Sequence, residues 1–127
     1  MSKFHSLKIK DIRQETTDAV SIAFEIPSEL KKDYHYHPGQ YVTLKVIVNG
    51  ESFNRSYSLC SNPFVENEHR IAIKRVMNGK VSTYLCKQAK IGDEIEVMLP
   101  MGNFHTEIDA NAEKHYYLFG AGSGITP

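Results

Sequence analysis

Apolar and polar residues alternate over several short stretches of the chain, with the period of two that is typical of strands half-buried in a sheet. In the clearest stretch Val20, Ile22, Phe24 and Ile26 fall on one face, and Pro27 ends it because proline cannot donate a ladder hydrogen bond. The same alternation predicts about six strands, within residues 7–12, 18–26, 41–48, 55–59, 70–76 and 94–99.

The segments between these strands predict one hairpin, one loop and one helix. Asn49-Gly50 is typical of a tight hairpin, since both residues tolerate positive φ. Residues 28–37 are polar and predict a loop with at most one helical turn. Residues 82–89 predict a helix, because Leu85 and Ala89 share one helical face. Six strands and one short helix indicate an all-β, antiparallel Greek-key barrel.

The last part of the chain follows a different pattern. Residues 116–119 are apolar and predict a buried strand, and residues 120–127 form a glycine-rich segment directly after it. A strand followed by a glycine-rich loop is how a nucleotide-binding βα unit begins. We therefore predict a barrel domain at residues 1–112, and the first strand and loop of a truncated α/β domain at residues 113–127. The chain is interpreted as a piece of a longer protein.

Length and charge narrow the function classes. The 127 residues suit one domain, and 15 Lys and Arg residues balance 15 Asp and Glu residues. That balance leaves no overall excess of cations for the phosphates of a nucleic-acid duplex. No apolar run approaches the roughly 18 residues of a membrane span, and the start lacks the apolar stretch of a secretory signal. We expect a cytoplasmic protein that binds neither nucleic acid nor membranes.

The first candidate for chemistry is Arg55-Ser56-Tyr57-Ser58, on the strand that returns from the hairpin. Arg55 offers a planar fork of donors that suits phosphate, and Tyr57, two residues on, points to the same face. Ser58 adds a hydroxyl that can donate to a ring nitrogen. Together these residues could hold a phosphorylated, planar heterocycle. The alternative is an ordinary strand whose Arg and Tyr face solvent.

The second candidate is the start of the predicted helix, residues 78–82 (NGKVS). The free N–H groups at the start of a helix form an anion site, and Gly79 permits close approach of the backbone. Lys74 and Arg75, on the strand before it, add positive charge. The alternative is a plain Asn-Gly turn with a capping Ser82 and a solvated pair of cations.

The third candidate is the glycine-rich segment itself. Its Gly-x-Gly-x-Gly spacing lacks the complete six-position dinucleotide fingerprint, so a flexible tail and a truncated phosphate loop stay open as interpretations. A metal site is not expected, because His35 and His37 have no third ligand at a motif spacing. Cys60 and Cys86 are expected to be buried apolar residues rather than nucleophiles.

Together and in this order, the motifs resemble those of the ferredoxin–NADP reductase superfamily. The matching pieces run along nearly the whole chain: HPGQYV (37–42), RSYS (55–58), GKVS (79–82), GD (92–93), PMGNF (100–104) and GAGSGITP (120–127). Within the superfamily, the chain is most similar to reductase subunits of ring-epoxidising monooxygenases in the degradation of phenylacetate. The competing interpretations are a flavin-binding barrel without reductase activity, a reductase that delivers electrons to a different acceptor, and an oligonucleotide-binding barrel.

The resemblance implies an NAD(P)H-dependent FAD oxidoreductase. An FAD-binding barrel would be followed by an NAD(P)-binding domain and a [2Fe–2S] ferredoxin-like domain, and electrons would pass on to an oxygenase component. Because the flavin carries the chemistry, the protein would supply orientation and electrostatics. The chain by itself would bind FAD but would not oxidise NAD(P)H well, and the motifs do not distinguish NADH from NADPH.

The resemblance also implies roles for individual residues. Arg55 would contact the FAD phosphates, Tyr57 would pack on the isoalloxazine ring, and Ser58 would act catalytically by hydrogen-bonding near flavin N5. The remaining cofactor contacts would come from Ser56, Ile73, Lys74 and Arg75 at the flavin, from Gly79, Lys80, Val81 and Ser82 at the pyrophosphate, and from Gly122, Ser123, Gly124 and Thr126 at the nicotinamide.

Overall fold

The alternating stretches form six antiparallel strands in a computed structural model that describes residues 3–107 and 109–127. The elements are β1 (Phe4–Thr16), β2 (Ala19–Glu25), β3 (Tyr41–Val48), β4 (Glu51–Ser58), β5 (His69–Lys74), α1 (Lys80–Lys87) and β6 (Glu94–Met98). A 3-10 turn at Ser28–Leu30 is the single helical turn expected in the polar loop. The antiparallel β fold with one short helix is confirmed, although β1 extends further than its pattern predicts and α1 begins two residues earlier.

The strands are ordered β4-β3-β6-β1-β2-β5, so that β4 and β5 form the two edges of one curved sheet. Asn49 and Gly50 adopt positive φ values of 52° and 79°, which confirms the tight hairpin between β3 and β4. Just beyond β4, Leu59 bridges to Ile71, and the Cys60 N–H donates to the Arg70 carbonyl at 2.8 Å. These contacts bring the end of β4 beside β5.

The barrel interior is filled by the inward residues of the strands, by Leu85 of α1, and by Tyr34 and Tyr36 of the loop before β3, which the sequence predicts to be polar. The largest of its fully buried side chains are Tyr34, Tyr36, Phe24, Leu7, Ile9, Ile22, Leu44, Leu59, Ile71, Ile73, Leu85 and Val20. Strand β2 departs from the expected pattern, because Ser21 and Ala23 on its outer face are buried as well. The side chain of Arg70 reaches this face from β5 and donates to the Ser21 hydroxyl at 2.8 Å.

Arg70 is the centre of a charged cluster on the outside of the sheet. Only 5% of this residue is exposed, and its guanidinium donates to Glu68 at 3.0 Å and to Asp11. These charge-assisted hydrogen bonds, together with the nearby positive charge, hold the pKa values of the Asp11 and Glu68 carboxyls below their usual range. The cluster ties β1, β5 and the loop before β5 together through groups far apart in sequence.

The lowered pKa values predict a loss of stability in acid. In acid the unfolded chain takes up protons at Asp11 and Glu68 before the folded chain does. Their contribution is therefore complete above about pH 5, and it is lost as the pH falls below about 4. Urea unfolding between pH 7 and pH 3 measures this decline. The double variant Asp11→Asn, Glu68→Gln should show a shallower decline, and an unchanged slope would contradict the assignment.

The segment that follows β6 is fixed to the barrel at its start. Tyr41 and Met101 exchange two backbone hydrogen bonds of 2.8 and 2.9 Å, which extend the sheet past the end of β6. Gly39 has a φ of 97°, and a Cβ there would overlap the Phe104 carbonyl. Only a glycine allows this approach of the two backbones.

The strand predicted at residues 116–119 is not formed in the structure. Tyr116, Tyr117, Leu118 and Phe119 are between 58% and 95% exposed and pair with no strand among the described residues. A strand needs a neighbour with which to exchange backbone hydrogen bonds, and the barrel offers none here. The described residues also include no helix long and apolar enough to cross a membrane.

The expectation that both cysteines are buried is wrong for Cys60. Cys60 is exposed and Cys86 is half-buried, and both thiols are free. Cys60 lies two residues beyond the end of β4, where the chain leaves the sheet for the loop before β5. Cys86 lies on α1 and directs its sulfur toward the Ile73 carbonyl, 3.6 Å away.

Candidate functional site

Two of the three sequence motifs meet on one side of the barrel. The bridge between Leu59 and Ile71 places the end of β4 beside β5, and α1 begins six residues after β5 ends. The Ser82 hydroxyl accepts a hydrogen bond from the Val76 N–H at 3.0 Å, which holds the first turn of α1 against the end of β5. The site is therefore built from the edge strands β4 and β5 and from the start of α1.

Strand β4 presents the arginine and the tyrosine of its motif on one face. Arg55 is paired with Leu44 and Tyr57 with Val42, so both share the inward face, as their spacing predicts. Arg55 is exposed, whereas Tyr57 is half-buried against the core. Burial raises the pKa of Tyr57 and the Arg55 charge opposes that rise, so the phenol is neutral near pH 7.

The two serines of the motif lie on the opposite face of β4. The Ser56 hydroxyl is 2.8 Å from that of Thr43 across the sheet, so it already has a partner. The Ser58 hydroxyl has no hydrogen-bond partner among the residues that the structure describes, and its side chain is half-buried. Of the two hydroxyls, that of Ser58 is the one free to bind a ligand at this edge.

Two cations approach one aromatic ring at the start of α1. The Arg55 guanidinium carbon and the Lys80 Nζ each lie 5.5 Å from the centre of the Phe53 ring. Lys80 Nζ is also 3.5 Å from a carboxylate oxygen of Glu51. The ring thus brings cations from β4 and α1 together, an arrangement suited to a group with more than one negative charge.

The first turn of α1 offers backbone donors beside these cations. Gly79 is the N-cap, and the N–H groups of Lys80, Val81 and Ser82 have no acceptor in the described part of the chain. A Cβ on Gly79 would lie 2.6 Å from the Ser82 hydroxyl, so a larger residue there would displace the Ser82 side chain. Free N–H groups at a helix start bind anions, and the helix dipole favours negative charge there.

The side chains of this turn have different surroundings. Val81 is only 2% exposed and packs in the core, so its N–H alone can reach a ligand. Ser82 is 7% exposed, and its hydroxyl already accepts a hydrogen bond from the Val76 N–H. Ser82 therefore holds the turn together instead of capping the helix, because no side chain caps α1.

Strand β5 supplies one free cation. The Ile73 side chain is fully buried, so only its backbone could line a ligand, while Lys74 and Arg75 are exposed. The Arg75 guanidinium is 3.5 Å from Asp18, and the Arg75 N–H donates to the Asp18 carbonyl at 2.6 Å. Lys74 has no ion-pair partner among the described residues, and because it follows the buried Ile73, its side chain lies on the outer face of β5.

The glycine-rich segment is separate from these elements. Gly122–Ile125 forms a 3-10 turn with Gly122 at a φ of 57°, and Thr126 donates to the Ser123 carbonyl through its N–H and its hydroxyl. The preceding residues border an apolar cleft of about 450 Å³ that is lined in part by Pro38 and Phe104. The structure gives Gly122, Ser123, Gly124 and Thr126 no hydrogen bond to β4, β5 or α1.

The residues that the motifs do not identify are Phe53 and Glu51. Phe53 lies two residues before Arg55 on the same face of β4, so the period of two could have found it. Glu51 follows the hairpin turn and meets Lys80 only because the barrel folds α1 beside β4. As for metals, no group of three or more His, Cys, Asp or Glu residues that could hold an ion is found in the described ranges.

The donors of this site fit FAD. FAD combines a diphosphate with a flat isoalloxazine ring, and the site combines two cations and three free N–H groups with a half-buried tyrosine. The N–H groups of Lys80, Val81 and Ser82, which have no acceptor among the described residues, are the donors that a phosphate would meet there. The arrangement therefore offers separate contacts for each end of such a ligand.

Comparison with known proteins agrees with this fit. Residues 6–106 match the oxidoreductase FAD-binding domain family. A subunit of 1,2-phenylacetyl-CoA epoxidase from Escherichia coli is 39% identical over 127 residues, which is 100% of this chain and 35% of that protein. The ferredoxin reductase component of 3-ketosteroid-9-alpha-monooxygenase from Rhodococcus rhodochrous is 38% identical over 95% of this chain and 34% of that protein. The chain spans about a third of the length of these relatives.

Solved structures share the fold. The flavohem-like FAD/NAD binding domain of nitric oxide dioxygenase from Vibrio cholerae has a TM-score of 0.69 and 28% identity, covering 83% of this chain and 46% of that chain. Phthalate dioxygenase reductase has a TM-score of 0.66 and 28% identity, covering 82% and 32%. Ferredoxin-NADP+ reductase from Plasmodium falciparum, at 23% identity, has a TM-score of 0.73 and covers 98% and 49%. The chain belongs to the oxidoreductase FAD-binding domain family, and its fold is that of the ferredoxin–NADP reductases.

Proposed function

We propose that the chain is the FAD-binding part of an NAD(P)H-dependent reductase that delivers electrons through an iron–sulfur centre to an oxygenase, in phenylacetate degradation. The similarity to an epoxidase subunit and to monooxygenase reductase components supports this assignment. Phthalate dioxygenase reductase is a modular structure for electron transfer from pyridine nucleotides to [2Fe–2S], and the similarity to it supports the proposed route. On this proposal, an NAD(P)-binding domain, a ferredoxin-like domain and an oxygenase complete the system.

The observation that carries the proposal is the meeting of β4 and α1. Arg55 and Lys80 are held at one aromatic ring beside three N–H groups without acceptors in the described residues, and this arrangement suits a diphosphate. Tyr57, on the same face of β4 as Arg55, is the residue proposed to pack on the flavin ring. Ser58 is proposed to donate its free hydroxyl near flavin N5.

In such reductases, bound FAD supplies the ability to accept a hydride and to return its two electrons one at a time. The residues of this chain bind and orient the cofactor. Arg55, Lys80 and the first N–H groups of α1 would neutralise the diphosphate, and Ile73, Lys74 and Arg75 are proposed to line the flavin at the end of β5. The glycine-rich turn of Gly122, Ser123 and Gly124, with Thr126, is proposed to border the nicotinamide when the whole protein is assembled.

Titration of the 127-residue chain with FAD tests the proposal. We expect saturable binding, a yellow protein after gel filtration and a change in flavin fluorescence, because the site is already formed in the folded chain. We expect no steady oxidation of NADH or NADPH by the chain alone, since residues 113–127 are only the beginning of the domain proposed to hold the nicotinamide. A folded chain that binds no FAD would contradict the proposal, and steady turnover would contradict its second half.

A further inference from the structure

Phe53 occupies a position between β4 and α1 that the motifs of the site do not include. Its ring is half-buried, faces the same side as Arg55 and lies opposite Val46 in β3. Both the Arg55 guanidinium and the Lys80 ammonium lie 5.5 Å from the ring centre. This distance is within the roughly 6 Å over which a cation is attracted to an aromatic ring.

Attraction to the Phe53 ring offsets two costs of holding the Arg55 and Lys80 cations in fixed positions near each other. Arg55 and Lys80 carry like charges and repel each other, and both have long side chains that lose rotamer freedom when they are ordered. Their anchor points are 25 positions apart in the chain, on a strand and on a helix. Attraction to a shared ring holds both cations on the side where the free N–H groups of α1 lie.

Glu51 provides the counter-charge for Lys80 in the free chain. Lys80 Nζ and a Glu51 carboxylate oxygen are 3.5 Å apart, and both side chains are more than 60% exposed. An exposed ion pair of this kind contributes little stability and exchanges readily. A diphosphate arriving at the start of α1 carries more negative charge than one carboxylate, so it can replace Glu51 as the partner of Lys80.

We propose that Phe53 is a positioning residue that holds Arg55 and Lys80 as a cation pair for the FAD diphosphate, and that Glu51 competes with the diphosphate for Lys80. This inference rests on the proposed FAD site and deepens it. It assigns to an apolar residue of the hairpin a role in the affinity for phosphate. It also makes part of that affinity depend on an exposed carboxylate.

The variant Phe53→Leu tests the first half, because leucine keeps an apolar side chain and removes the π face. We expect it to weaken FAD binding about 5- to 30-fold, which corresponds to losing attraction to two cations. Riboflavin, which has the same ring system and no phosphate, should lose less than about twofold. The control variant Phe53→Tyr keeps an aromatic ring, and its affinity for FAD should lie within about twofold of that of the original chain.

The two ligands separate positioning from a structural defect. An equal loss for riboflavin and FAD in Phe53→Leu would show that the side chain only supports the fold, and an unchanged FAD affinity would also overturn the inference. Failure of the proposed function is a different result, since the original chain would then bind neither ligand. Thermal unfolding of each variant confirms that a folded protein is compared.

The variant Glu51→Gln tests the second half. Removing the competing charge should strengthen FAD binding by about two- to fivefold at low salt, in line with the energy of an exposed ion pair. The gain should disappear above about 0.5 M NaCl, where such pairs are screened. Glu29→Gln, at an exposed acid on the 3-10 turn, is the matched control and should leave the affinity unchanged. A weaker or unaltered affinity in Glu51→Gln would overturn this half.

Discussion

Replacing Arg55 with alanine is expected to weaken FAD binding about 10- to 150-fold, the effect of losing charge-assisted hydrogen bonds to a phosphate. The guanidinium is exposed beside the Phe53 ring, and the hydrogen bond it makes within the described chain is to the Asn54 carbonyl at 2.8 Å. Its removal should therefore lower the affinity for FAD far more than it lowers the stability of the fold. Fluorescence titration with FAD measures the loss.

Two further variants make the result specific. Arg55→Lys keeps the charge but loses the planar fork, so its affinity should lie between those of the original chain and Arg55→Ala. Arg13→Ala removes another exposed arginine, from β1, and should bind FAD normally. A folded Arg55→Ala protein with unaltered FAD affinity would exclude Arg55 from the site.

Replacing Arg70 with methionine is expected to lower the free energy of unfolding by about 2–4 kcal/mol. The guanidinium is buried and donates to Asp11, Ser21 and Glu68. Methionine fills part of the space but leaves the Ser21 hydroxyl without that donor, and it leaves Asp11 and Glu68 with the exposed Arg13 as their remaining cation. Urea unfolding at pH 7 measures the difference, and circular dichroism confirms that the variant folds.

The exposed Arg13 serves as a control for the buried Arg70. Arg13→Ala removes a neighbouring arginine that is 59% exposed and should cost less than about 1 kcal/mol. Arg70→Met should retain FAD binding once folded, because the cluster lies on the outer face of the sheet and makes no contact with Arg55 or α1 in the described residues. An unfolding free energy equal to that of the original chain would show that the cluster contributes nothing net.

The sequence predicts the strands, and which residues of the first motif share a face, because both rest on local regularity. A period of two locates all six strands and puts Arg55 and Tyr57 on one face. The Arg70 cluster could not be predicted, since Asp11 lies 59 positions away and meets Arg70 only through the order of the strands. The contact between Phe53 and Lys80 could not be predicted either, because the two residues are far apart in the sequence and meet only in the folded chain. Residues 116–119 are as apolar as a buried strand, but no strand in the described chain pairs with them, so the expected strand is absent there.

The contact between Gly39 and the Phe104 backbone affects the path of the chain beyond the barrel. Because the two backbones touch, the direction in which the chain leaves the barrel is set by the loop before β3 and not by a loose tether. A larger residue at position 39 would displace the Phe104 backbone and so redirect this exit, while the first turn of α1 would keep its position. On the proposed function, the alignment of the NAD(P)-binding domain, and with it the rate at which electrons reach the flavin, would change without a change in the affinity for FAD.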